Sequence, residues 1–316
     1  VTAVSLTNAR LSANILGVRM PSALALCLAG VLTVSAAAGA AIIVATGLTL
    51  EIAGFSRFLA LAGVMFALTF WCGSRRLDPR MGAAASIVGA ATLSLVICGI
   101  VSNAGLRLGA PLADARLAAA DALVGLNAGE VIRAVARRPW LTEVLSLFYN
   151  SSGVAVIALI GWSLVRKKVA RAWELVATAI ISMQLVAIAS PAFPAWGAMR
   201  HFGLEGLQGH GLPVGAGVYQ WPAFANFYAG TDPVLRLADM GGVVAFPSFH
   251  TVLALLITQA LGTTRLWPLA LVWTAGIILA AIPMGGHYVV DLAGGFVIWL
   301  AAAAIARRAV ASSPSA

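Results

Sequence analysis

Charge is what this sequence has least of. Asp, Glu, Lys and Arg make up only 10% of its 316 residues, against 61% apolar, and the mean hydropathy is +0.95. Soluble domains carry about a quarter charged residues, so a soluble fold is excluded. Lysine is nearly absent. Lys167 and Lys168 are the only two among 20 basic residues, and this arginine bias, with heavy use of Ala and Gly, points to a GC-rich bacterial genome. Cysteine is reduced to Cys27, Cys72 and Cys98, each inside an apolar run and without CxxC or Cys/His spacing. That excludes a readable disulfide framework or zinc site and leaves them as packing residues. No cluster of metal-ligating side chains exists, so neither a metal nor another cofactor is expected. What the sequence has instead is long apolar stretches, the mark of an all-α, polytopic membrane protein.

The net charge of +9 could suit nucleic acid, but basic residues scattered between apolar runs set membrane orientation instead, so no nucleic-acid partner is expected. Taking about 20 apolar residues per span, eight spans are expected, near 22–47, 57–73, 82–106, 140–165, 173–193, 248–263, 266–284 and 287–306. The sixth is short. "SAAAGA" in the first could pass for a signal-peptidase site, but the apolar stretch runs on through "AIIVATGLTL", which favours an uncleaved span. With the N-terminus inside, Arg10, Arg19, "RRLDPR" (75–80), "RKKVAR" (166–171), Arg265 and "RR" (307–308) fall on short cytoplasmic segments. The expectation is a bacterial plasma-membrane protein with both termini cytoplasmic. Two long outer segments follow. Residues 108–139 place Leu117, Val124, Val131 and Val135 near one helical face with Asp121 elsewhere, the pattern of an interfacial amphipathic helix. Residues 194–247, rich in Gly, Pro and aromatics, fit a loop at headgroup depth. Residues 1–80 are expected to be a two-span addition to a six-span core over 81–316.

All four histidines, His201, His210, His250 and His287, fall on or near the outer face in this arrangement. Two stretches stand out. In "IPMGGHYVVDLAGG" (282–295), His287 and Asp291 are four residues apart and so share a helical face; an ionisable residue inside a span calls for a partner. In "PSFH" (247–250), Ser248 reads as the N-cap of the sixth span and His250 sits in its first turn. Each alone suits a structural role. Together, at two helix N-termini that offer N–H groups to an anion, they point to phosphoryl transfer. A neutral imidazole can attack phosphorus, a carboxylate on the far ring nitrogen fixes its tautomer, and a second histidine can protonate the departing alkoxide. Those roles fall to His287, Asp291 and His250.

These residues resemble the type 2 phosphatidic acid phosphatase superfamily of membrane lipid phosphatases and phosphotransferases. "PSFH" is similar to its PSGH motif, with Phe249 for the glycine. "AAIPMGGHYVVD" (280–291) is similar to SRxxxxxHxxxD, with Ala280 and Ala281 where the family has Ser and Arg. The resemblance implies the same three roles, with Ser248 at the phosphate. It also implies a first motif, KxxxxxxRP, near "SPAFPAWGAMRHFG", where Arg200 is the one strong cation. The "FPSFH" form and the missing arginine are similar to the branch of inositol phosphorylceramide synthases and their bacterial relatives. "LFYNSSG" (147–153) is similar to bacterial members and offers Tyr149 and Asn150 as pocket-lining residues. The expected function is hydrolysis of a lipid phosphate or diphosphate at the outer face. The alternatives are transfer of the phospho-headgroup to an alcohol, a transporter with a His/Asp proton relay, and a catalytically silent lipid-binding protein.

Overall fold

The computed structural model describes residues 22–312; Arg10 and Arg19, part of the orientation argument, lie outside them. Seven described helices are long and apolar enough to cross a membrane. They are α1 (Ser22–Thr46), α2 (Ile52–Ser74), α3 (Pro79–Gly105), α6 (Pro139–Val165), α7 (Val169–Ala189), α11 (Trp267–Gly285) and α12 (Val289–Ala311). The eighth expected span is α10, Phe249–Leu261. Its thirteen residues rise about 20 Å, short of the ~30 Å hydrocarbon core.

The most buried long helix is α7, which packs against α1, α3, α6, α10 and α12. It presents Trp173, Leu175, Val176, Ile180 and Ile181 to its neighbours, all nearly inaccessible. By contrast, α2 packs mainly on α3, and exposed Phe58, Leu59, Val64 and Phe70 line its outward face. Such faces are unstable in water and suit lipid. The polar end opposite the histidines is locked by Glu174. Its carboxylate accepts from Arg171 at 2.7 Å, Gln259 Nε2 at 3.1 Å and Arg307 Nε at 3.2 Å, joining α7, α10 and α12.

Residues 108–139 do not form one amphipathic helix. They form α4 (Asp114–Leu123) and α5 (Ala128–Ala136), broken where Gly125 takes φ +71°. The break turns Val124 outward, 69% exposed, while Leu117 and Val135 stay buried. Asp121, expected off the packed face, is 1% exposed. It shares a face with Asp114 and Leu117 because seven residues make nearly two full turns.

The 194–247 segment carries two short helices, α8 (Ala198–His201) and α9 (Trp221–Ala229), and the strand β2 (Val234–Leu235), which pairs in parallel with β1 (Thr49–Leu50). The Arg107 guanidinium, at the end of α3, donates to the carbonyls of Asn226, Gly230 and Asp232 and so ties α9 to the bundle. The segment is therefore held to the helix ends at several points. It roofs a core in which Met199, Leu204 and Leu212 pack with Ala280, Ala281, Met284 and Tyr288.

Candidate active site

Both histidine-bearing stretches sit at a helix start beneath this roof. Ser248 caps α10, its Oγ accepting from Thr251 N at 3.4 Å. Asp291, in the first turn of α12, accepts from Tyr288 N at 2.8 Å. The two starts are joined, since Ser248 N donates to the Asp291 carbonyl at 2.9 Å. Such contact requires glycine on α12. A Cβ on Gly295 would lie 2.3 Å from the Ser248 carbonyl oxygen, and one on Gly294 would lie 2.7 Å from the Phe246 ring.

His287 stands between these starts, two residues before the first residue of α12 and not on it, so the expected shared helical face with Asp291 is corrected to a contact across the helix start. Its Nε2 is 3.2 Å from Ser248 Oγ and its Nδ1 is 3.2 Å from Asp291 Oδ2. With Asp291 fully buried and His287 4% exposed, the carboxylate selects the Nδ1–H tautomer and leaves the Nε2 lone pair toward the serine. The His250 ring lies 6.1 Å from that of His287, centroid to centroid. Tyr149 of α6 stacks on His250 at 4.1 Å and 19°, and its hydroxyl meets that of Tyr219 at 3.1 Å.

Two further acids hold this arrangement. Asp114 accepts from Trp196 N, Gly197 N and the Tyr288 hydroxyl, at 3.1, 2.9 and 2.9 Å. Burial, then the Asp114 carboxylate, push the Tyr288 phenol far above its ordinary range, so it stays a donor. Asp121 accepts from Val289 N at 2.9 Å and Val290 N at 2.7 Å, capping α12 from outside the helix. The N–H groups at that start are thereby occupied. The expectation of two open helix N-termini is corrected to one, that of α10.

Of the residues singled out in the sequence, His287, Asp291, Ser248, His250 and Tyr149 come together. Asn150 does not join them: it is exposed and donates to Ser146 Oγ at 3.1 Å. Successive helical residues point about 100° apart, so placing Tyr149 on His250 turns Asn150 away. Arg200 is exposed and lies over the Trp196 ring at 3.9 Å. Its short helix is nevertheless anchored beside the site, since Ala198 N donates to the Gly286 carbonyl at 2.8 Å. Ala280 and Ala281 are fully buried in the core, where an arginine has no room. The described residues hold no group of three or more potential metal ligands. The sequence reading missed Asp114 and Asp121. The available signal was two acids seven residues apart on a predicted helix.

A family model described as the PAP2 superfamily matches residues 115–305. No curated protein and no solved structure matches. The matched stretch covers more than half of the chain and takes in α4 from its second residue onward, both histidine-bearing helix starts and the roof, so this chain belongs to the PAP2 superfamily.

Proposed function

We propose that the chain is an integral membrane lipid phosphate phosphatase working through a phosphohistidine. The observation that carries this reading is His287 held between Ser248 Oγ and Asp291 Oδ2, 3.2 Å from each, with a second histidine alongside.

In the first step His287 Nε2 attacks phosphorus, the Nε2–P bond forms and the P–O bond to the lipid breaks. Protonated His250 gives its proton to the departing alkoxide. Asp291 balances the positive charge that develops on His287. In the second step His250 takes a proton from water, the resulting hydroxide attacks phosphorus, and inorganic phosphate leaves with His287 restored. Ser248 Oγ and the free N–H groups at the α10 start receive the phosphoryl oxygens. Arg200, on the segment docked against Gly286, is assigned to the incoming anionic headgroup. Tyr149 fixes the plane of the His250 ring.

The site is assigned to the outer side, because twelve of the 20 basic residues fall on the opposite segments in the eight-span layout. The 108–139 and 194–247 segments both cover the histidine end of the bundle. Residues 1–80 are assigned as an addition, consistent with a family match that begins at residue 115.

The test is release of inorganic phosphate by purified protein from a panel of lipid monophosphates and diphosphates in mixed micelles, with a parallel assay for transfer to an alcohol. Release from at least one lipid, abolished in His287→Ala, is expected. No release and no transfer across the panel would remove the enzyme reading.

A further inference from the structure

A polar cavity lies at the end of the bundle opposite the histidines. It measures about 630 Å³ and is lined by Arg76, Asp78, Arg80, Lys167, Val169 and Ala170. Those residues lie in the α2–α3 and α6–α7 connections and in the first turns of α3 and α7, the latter near Glu174, whose carboxylate binds the far end of α10. The cavity is thus separated from His250 by the length of α10.

Its backbone has an unusual feature. Both connections close with the same helix-terminating turn. Arg76 N donates to Gly73 O and Leu77 N to Cys72 O, while Lys167 N donates to Leu164 O and Lys168 N to Ser163 O. That turn needs a left-handed residue, and glycine is the usual choice. Here φ is +52° at Arg76 and +59° at Lys167, the only positive values at non-glycine positions among the described residues. The chain has 32 glycines, yet at both turns it carries a cation where glycine would be unstrained.

The charges are unevenly committed. Asp78 caps α3 and pairs with Arg80, whose Nε is 2.9 and 3.0 Å from its two oxygens. Arg76 and Lys167 are exposed, and neither has an ion pair or side-chain hydrogen bond among the described residues. The start of α7 also opens here, with Lys168 at the N-cap and no side-chain cap. Two free cations and an uncapped helix N-terminus make a site for a phosphate-sized anion. The flanking surface is apolar and aromatic: Phe70, Trp71, Trp162 and Val165 are all exposed at the ends of α2 and α6. Tryptophans at helix ends mark headgroup depth, and basic pockets between spanning helices suit anionic headgroups.

We propose that this cavity binds the phosphate of an anionic membrane lipid, with Arg76, Lys167 and the start of α7 on the headgroup and the acyl chains along Phe70, Trp71 and Val165. It is a site separate from His287 and does not depend on the reaction there.

The test uses the full chain in neutral detergent, titrated with short-chain phosphatidylglycerol and read by native mass spectrometry. Because glycine suits both turns, Arg76→Gly/Lys167→Gly should fold and melt at least as high as the parent in neutral detergent. With each cation contributing about fivefold, the double variant should bind about 25-fold more weakly. Arg265→Gln, which removes a cation outside the cavity, should bind like the parent. Retained affinity in the double glycine variant, an equal loss in Arg265→Gln, or no saturable binding by the parent would overturn the proposal. Displacement of the lipid by millimolar inorganic phosphate would assign the site to the free anion and overturn the lipid assignment.

Discussion

Gly295 shows how closely single residues control this site. An alanine there would place a methyl 2.3 Å from the Ser248 carbonyl, so the α10 start must shift away from α12 and open the Ser248–His287 contact. Gly295→Ala should lose activity by more than tenfold and lower stability by about 1–3 kcal/mol, measured by phosphate release and thermal melting. Tyr149 offers a finer test, since its ring stacks on His250 while its hydroxyl only reaches Tyr219. Tyr149→Phe should stay near parental turnover, whereas Tyr149→Leu should drop kcat by about 100-fold with KM little changed, the cost of misplacing a catalytic group by about 1 Å. The sequence displayed His287 and Asp291 openly, because the pair is only four residues apart, although the contact is not made along one helical face: α12 begins at Val289, and Asp291 in its first turn reaches back to His287. Ser248 was legible as a cap, but its approach to His287 depends on Gly294 and Gly295 and appears only in three dimensions. Asp114 and Asp121 were hidden for another reason: their partners lie more than 80 residues away and, apart from the Tyr288 hydroxyl, are backbone N–H groups, which leave no signature in sequence.

The elements divide into those that span and those that position. The long helices were legible as apolar runs, within a few residues at most ends. The break between α4 and α5 was not, because Gly125 reads equally well as a tolerated helical glycine. The short α10 is the informative element. At about 20 Å it cannot cross alone, and its two ends are fixed by polar contacts, Ser248 with Asp291 at one and Gln259 with Glu174 at the other. If Glu174 were removed, Arg171, Arg307 and Gln259 would lose their shared acceptor in a partly buried setting. Glu174→Ala should therefore lower stability by about 1–3 kcal/mol, read as thermal melting in detergent. The protein that remains folded should turn over nearly as fast as the parent, because the histidines lie at the opposite end of α10. A comparable fall in the kcat of the folded fraction would show that the lock reaches the chemistry.

At the scale of the whole molecule, a bundle centred on α7 carries a roofed histidine site at one end and a basic cavity at the other. The proposed orientation is open to direct measurement. In a background lacking Cys27, Cys72 and Cys98, Val214→Cys, at an 87% exposed position of the roof, should react with a membrane-impermeant maleimide on intact cells. Thr263→Cys, just past α10, should react only after lysis; the reverse pattern would invert the topology. The covalent intermediate on His287 can be trapped by rapid quench of the enzyme with a lipid phosphate labelled in its phosphoryl group. The expected result is label that survives base but not acid, mapping to His287 and absent from His287→Ala. Turnover without such label, or label carried by Ser248 as an acid-stable ester, would contradict it.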